Sequence, residues 1–145
     1  MTLPYFTSMV DVTQYLVDLV TANQDDLGLL TVYYGAQEII PKFPSAELES
    51  IFKSRTLYAT HQYELIFRVG ILVLIEPITT STEKRKEAEQ FGEAVQDVID
   101  ADRKFGGKLI NSFITRIEPG RVLRANRPMM RAVQLTWEGL SREEF

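Results

Sequence analysis

The chain has 145 residues, of which 45% are hydrophobic and 25% charged, and this composition is typical of one ordinary globular domain. It excludes the disordered and collagen-like classes. With no cysteine and a single histidine, His61, the chain has neither disulfides, nor thiolate metal sites, nor any site that needs two imidazoles. The longest apolar segment, Leu65 to Ile75, contains Arg68 and is too short to cross a bilayer as a helix, so we expect no membrane partner.

The net charge of −4 is distributed unevenly along the chain. Residues 1–50 carry one base and seven acids, which gives −6, whereas residues 101–145 carry nine bases and five acids, which gives +4. The stretch from Arg103 to Arg131 alone holds eight bases against one acid. Opposite charge at the two ends of a chain favours head-to-tail contact between copies. The pattern therefore indicates self-assembly or contact with nucleic acid.

The first third of the chain predicts a helix followed by a strand. Ser8 with Asp11 three residues later is typical of a helix start, because a serine caps the first turn and an acid there favours the helix dipole. Apolar side chains then follow at helical spacing, and the helix is expected to end within residues 21–26. Leu29 to Tyr34 is rich in β-forming residues and predicts the strand.

The middle of the chain predicts an extended segment and two strands. Pro41 and Pro44 flank Phe43 and exclude both a helix interior and a central strand. Leu48 to Tyr58 is compatible with a strand or a short helix, and a strand is favoured. Tyr63 to Ile75 is the clearest strand in the chain, because every second residue is apolar without exception.

The last part predicts a helix and two more strands. Thr80 to Glu83 forms a capping box that starts an amphipathic helix, and Gly106-Gly107 is predicted to end it. A strand from Leu109 to Glu118 is expected to close in a Pro119-Gly120 turn, and an arginine-rich loop should follow. Met129 to Glu138 alternates again as a strand, and the tail from residue 140 to 145 is predicted to fray.

This order of elements predicts a single α+β domain spanning residues 1–145, with a mostly antiparallel β-sheet packed by two main α-helices. The long helix lies between two strands and therefore permits one parallel crossover.

Motifs for catalysis or for cofactor binding are weak, and we expect neither an enzyme nor a cofactor. Gly106-Gly107 follows a helix rather than opening one, which does not suit phosphate binding. Asp97, Asp100 and Asp102 cluster at a helix end without the spacing of a calcium loop, which favours a solvated helix end or a subunit contact over a metal site. His61 lies just before a strand as a surface or turn residue; a small hydrolase with His61 as its base is the enzymatic alternative.

The candidate interface residues are mostly arginines, which subunit interfaces favour together with aromatic residues. The same arginines would suit a phosphate track, although only Phe105 and Phe113 offer stacking for single strands in that run. A small nonspecific nucleic-acid-binding module is therefore an alternative. The candidates for subunit contacts or a channel lining are Arg116, Arg121, Arg124, Arg127, Arg131, Asp97, Asp100 and Phe43.

The layout and one motif resemble a known family. A helix that runs through Val-Ile-Asp-Ala-Asp-Arg-Lys-Phe-Gly-Gly (residues 98–107) into a strand, after the proline-flanked Phe43 segment, resembles the tail terminator proteins of long-tailed bacteriophages. Many members have Asp-Pro-Thr where this chain has Asp-Ala-Asp at residues 100–102.

The resemblance implies a structural virion protein at the head–tail junction, made in the host cytoplasm. Such proteins form a ring, usually of six subunits, that caps the tail tube, ends its growth and offers the docking surface for the filled head. The implied partners are further copies of the chain, the tail tube protein, the head–tail connector proteins and, without sequence specificity, the passing DNA. A head–tail neck or connector protein is the nearest alternative.

Overall fold

The computed structural model describes residues 5–37, 42–77, 83–123 and 129–145. Within them the chain forms an α+β domain, in which one five-stranded sheet is packed by helices, as the sequence predicts. The helices are α1 (Met9–Ala22), α2 (Gln24–Leu27) and α3 (Glu83–Asp100), and the strands are β1 (Thr31–Tyr34), β2 (Ser45–Ala59), β3 (Gln62–Pro77), β4 (Asn111–Val122) and β5 (Met130–Glu144).

Helix α1 begins where its sequence predicts. The Ser8 hydroxyl oxygen accepts a hydrogen bond from the Asp11 N–H at 3.4 Å, which satisfies one of the free donors of the first turn. One side of the helix is fully buried, with Val12, Leu16 and Val20 at its centre. The helix ends at Ala22, and the short helix α2 follows directly, which the sequence did not indicate.

The sheet has the strand order β1-β2-β3-β5-β4. The β1–β2 pair is parallel and joins Thr31–Tyr34 to Ser45–Leu48, whereas the other neighbours are antiparallel. Strands β3 and β4 both run antiparallel to β5, so α3 links two parallel strands, and the expected crossover is confirmed.

The helices cover one face of the sheet and enclose the main core. The apolar face of β3 lies beneath them, and Leu65, Phe67, Val69, Ile71 and Val73 are fully buried, which confirms the alternation in the sequence. Helix α1 packs on β1 and β2, while α3 packs on β4 and β5. No described helix is long and apolar enough to cross a membrane.

The C-terminal third corrects several predictions from the sequence. Pro119 and Gly120 do not form a turn: β4 continues through them to Val122, and the proline is tolerated because β4 is an edge strand. The tail is not frayed, because β5 runs to Glu144 and pairs with the start of β3. Helix α3 ends at Asp100, so Gly106-Gly107 belongs to the turn that follows rather than to the helix end.

Two other predictions concern the second strand and the capping box before α3. The strand expected from Leu48 to Tyr58 is confirmed within β2. The first part of the capping box, residues 80–82, lies outside the described residues.

Candidate interaction surfaces

The motif at residues 98–107 forms a turn held by its own polar groups. The Asp100 carboxylate accepts a hydrogen bond from the Ile114 N–H at 3.0 Å, and the Asp102 carboxylate accepts one from the Gly106 N–H at 2.8 Å. The Ser112 hydroxyl donates to the Arg103 carbonyl at 2.8 Å. The turn therefore fixes the end of α3 to the start of β4, and the Asp100 carboxylate is already engaged within the chain.

Phe105 anchors this turn in the core. It is fully buried although its backbone φ is +48°, and its ring stacks on Tyr15 of α1 at 4.3 Å and on Trp137 of β5 at 5.3 Å between centroids. Burial, and secondly the charge of Asp102, raise the pKa of Tyr15 above its ordinary value. The sequence suggested only a helix stop here, whereas the structure assigns the motif to packing.

The arginines expected at an interface do not share one environment. Arg116 is exposed and pairs with Glu118 at 2.9 Å on the same strand, and Arg121 is exposed near the end of β4. Arg124 and Arg127 lie outside the described residues.

Arg131 lies in a strand, as the alternation from Met129 to Glu138 predicts, but it is buried and not exposed as expected of an interface candidate. Strand β5 begins one residue earlier, so Arg131 is already inside the sheet opposite Arg121, and only 8% of it is exposed. Its Nε has no hydrogen-bond partner among the described residues. Arg131 is therefore removed from the set of exposed interface arginines.

The remaining two candidates also differ. Asp97 is exposed on α3 and points away from the core. Phe43 is half-buried and packs against a small apolar cluster of Leu74, Met130 and Ala132 on the sheet face opposite the helices. Phe43 therefore contributes to the fold of the single chain rather than standing out as a free anchor.

The two side edges of the sheet carry opposite charge. At the β1–β2 edge, α1 and α2 present Asp11, Asp18, Asp25 and Asp26, all exposed, and residues 5–37 and 42–59 together carry six acids and three bases, a net −3. At the β4 edge, residues 111–123 carry two bases and one acid, a net +1, whereas the three bases of residues 101–110 lie in the turn that packs on α1. We call these the acidic edge and the basic edge. The split seen along the sequence is thus a separation in space only for β4, because the bases of the 101–110 turn lie beside α1 and the N-terminal segment.

The sheet face opposite the helices has two shallow cavities near its centre. They have volumes of about 170 and 130 Å³ and share Leu72 and Gln134 in their lining. Glu47 borders the smaller one, is buried, and accepts a hydrogen bond from the Gln37 N–H at 2.8 Å. Both volumes fall below the roughly 300 Å³ at which small-molecule pockets begin.

No sequence signal indicated the exposed arm formed by the end of β2, the start of β3 and the end of β5. Here the guanidinium Cζ of Arg142 lies 4.0 Å from the centroid of the Tyr58 ring. The guanidinium Cζ of Arg55 lies 4.2 Å from the centroid of the Tyr63 ring. Leu57 is 65% exposed beside them. Because these contacts join strands far apart in the chain, only the strand register could have revealed them.

His61 and the aspartates of α3 are the residues that the sequence offers for catalysis and for a metal site. His61 sits in the β2–β3 turn with φ of +63°, and its ring lies 5.7 Å from that of Phe145. Within the described parts of the chain, no group of three or more His, Asp or Glu side chains is placed to hold a metal ion.

Comparison with known proteins adds no family assignment. No protein-family model matches the chain, and no curated protein is significantly similar to it.

Proposed function

We propose that this protein is a structural subunit that joins copies of itself head to tail into a ring, and that the ring acts as a tail terminator of a long-tailed bacteriophage. The observation that supports the ring is the opposite charge of the two sheet edges. The observation that supports the phage role is the resemblance in element order and in the motif at residues 98–107.

A ring requires two different contact surfaces on each subunit, because each copy meets its neighbours through different patches. The acidic edge and the basic edge lie at opposite ends of the strand order, as such a contact needs. Opposite charges also suppress like-to-like encounters and speed the correct ones. The arrangement therefore favours head-to-tail over head-to-head association.

In the proposed role, about six copies cap the finished tail tube, stop its growth and present a surface to the head–tail connector. The partners are then the tail tube protein and the connector proteins, with passing DNA touched only without sequence specificity. The role assigns no catalytic step and no cofactor to any residue. A neck or connector protein would use the same charged edges.

Charge reversal tests the head-to-tail contact. We expect Arg116→Glu/Arg121→Glu to remain folded but to lose self-association, because it takes residues 111–123 from a net +1 to −3. We expect the same of Asp18→Lys/Asp25→Lys, which takes residues 5–37 and 42–59 together from −3 to +1, so that each variant has two edges of like charge. Lys86→Glu, an exposed reversal on α3, is the control and should assemble normally.

Mixing the two double variants provides the sharper measurement. Each basic edge then finds an acidic edge on the other variant, so an even-numbered ring should re-form with alternating subunits. Normal assembly of either double variant alone, measured by sedimentation, contradicts the proposal. Salt-sensitive binding of duplex DNA by a wild-type protein that never self-associates would favour the nucleic-acid-binding alternative.

A further inference from the structure

Both outer strands of the sheet leave a backbone edge without a strand partner among the described residues. Strand β1 covers β2 only from Ser45 to Leu48, so the outer side of β2 is open from Glu49 to Ala59. Strand β4 is the last strand on the other side. Long open edges are templates for pairing with a further strand, because their N–H and C=O groups lack partners.

The two edges have compatible direction and length. Along β2, β3, β5 and β4 the strands alternate in direction, so a second copy placed beside β4, with its helices on the same side, would present its β2 antiparallel to β4. Near the start of β4 the Ile114 N–H is taken by Asp100, which leaves Arg116 to Val122 as the accessible part. This segment is shorter than the open part of β2 and fits within it.

Charge at the Glu49 end of β2 favours this pairing over pairing of like edges, whereas Lys53 and Arg55 place positive charge on the half of β2 that lies towards Arg116. Antiparallel alignment brings the Glu49 end of β2 close to the Arg121 end of β4, and both side chains are exposed. Helix α1, which carries the exposed Asp11 and Asp18, packs on β2. Two β4 edges would instead bring arginines together.

Exposed apolar side chains on the open part of β2 also favour contact with a second copy. Ile51 is 51% exposed and Phe52 36% exposed, next to a register shift in β2. On the β4 side, Pro119 has no backbone N–H and so cannot donate a hydrogen bond to a neighbouring strand. A bulge and a proline restrict which register two edges can adopt, which suits a specific contact better than open-ended aggregation.

We propose that Arg116 to Val122 of β4 in one copy pairs antiparallel with the Glu49 to Leu57 part of β2 in the next copy, so that the sheet continues from subunit to subunit. This inference rests on the proposed head-to-tail assembly, and names the surfaces through which the copies meet.

The absence of native cysteine allows a clean cross-linking test. Glu49→Cys and Gly120→Cys place thiols on the same uncovered face of the sheet, one on each edge, and no other group lies within 4 Å of a side chain added at Gly120. A short bifunctional thiol reagent is added to each variant alone, to their mixture and to the double variant. The control mixture pairs Glu49→Cys with Gln134→Cys on β5, away from both edges.

Under denaturing conditions, we expect the mixture to give covalent dimers and nothing larger, the double variant to give a ladder of higher multimers, and each single variant to give no cross-linked product. At least a tenfold excess of cross-linked dimer over the control mixture would support the pairing. Dimers from a single variant alone would overturn it, since they would mean that like edges meet. If wild-type protein sediments as a discrete oligomer but the mixture gives no dimer, only the edge pairing fails; if neither an oligomer nor a cross-link forms, the proposed assembly fails with it.

Discussion

Truncating Phe105 tests the claim that the motif at residues 98–107 is a packing device. In Phe105→Ala the side chain that is lost is fully buried and stacked between two rings. Removal of a buried phenylalanine costs about 3–5 kcal/mol, and aromatic pairs add about 0.5–1.5 kcal/mol beyond their buried area. Alanine keeps the Cβ, so the cost of the positive φ is unchanged and the difference reports the ring.

We expect Phe105→Ala to lower the free energy of unfolding by about 4 kcal/mol, which is a large part of the roughly 5–15 kcal/mol typical of a folded domain. Urea unfolding followed by tryptophan fluorescence measures it, because Trp137 lies in the same stack. The matched control is Phe113→Ala on β4, where the ring is 43% exposed and the expected loss is about 1 kcal/mol. Equal losses in the two variants, or a loss below about 1 kcal/mol at Phe105, would refute the packing role.

Three further changes follow from the same contacts. Gly139→Ala places a Cβ 2.4 Å from the Trp137 ring and should lower the free energy of unfolding by about 2 kcal/mol or more. Gly120→Ala is the control and should change this free energy little, because no neighbouring atom lies within 4 Å of the added Cβ. The urea concentration at the unfolding midpoint measures both effects. Asp100→Ala leaves a backbone N–H of β4 without its acceptor and should lose about 1–3 kcal/mol, and the exposed Asp97→Ala should lose under about 0.5 kcal/mol, by the same assay. The pKa of Tyr15 is raised in the folded state, so the stability linked to its neutral phenol is present below the unfolded pKa near 10 and is lost as pH rises through the folded pKa. The unfolding temperature of Tyr15→Phe should therefore fall less steeply above about pH 10 than that of wild type.

The sequence predicts well those elements whose signal is local. Ser8 caps α1 through a hydrogen bond three residues along the chain, and the strict alternation in β3 follows from burial of one face. The long strand at β2 and the crossover by α3 were also predicted. In each case the pattern of residues and the physical cause lie within the same segment.

Long-range pairing decides what the sequence could not predict. Pro119-Gly120 has turn-forming residues, but β5 pairs with them and an edge strand tolerates the proline. The polar tail around Arg142 is ordered by β3, which lies over 70 residues earlier in the chain. Arg131 lies in a predicted strand, but its burial depends on β3 and β4, which pair with that strand on both sides.

The charged edges of the sheet could likewise be predicted only in part from the sequence. The charge asymmetry was visible in the sequence, because acids and bases separate along the chain. That the acidic segment and the bases of β4 occupy opposite edges of one sheet required the strand order. The open edge of β2 had no sequence signal, since it depends on how few residues β1 contributes.

Sedimentation of the purified wild-type protein over a wide range of concentration and salt tests the central claim most directly. We predict a discrete species near six protomers at low salt that dissociates at high salt, because opposite charges at the two edges hold the copies together and salt screens them. A dimer at all concentrations would contradict the ring. So would a monomer that stays a monomer both alone and after addition of tail tubes.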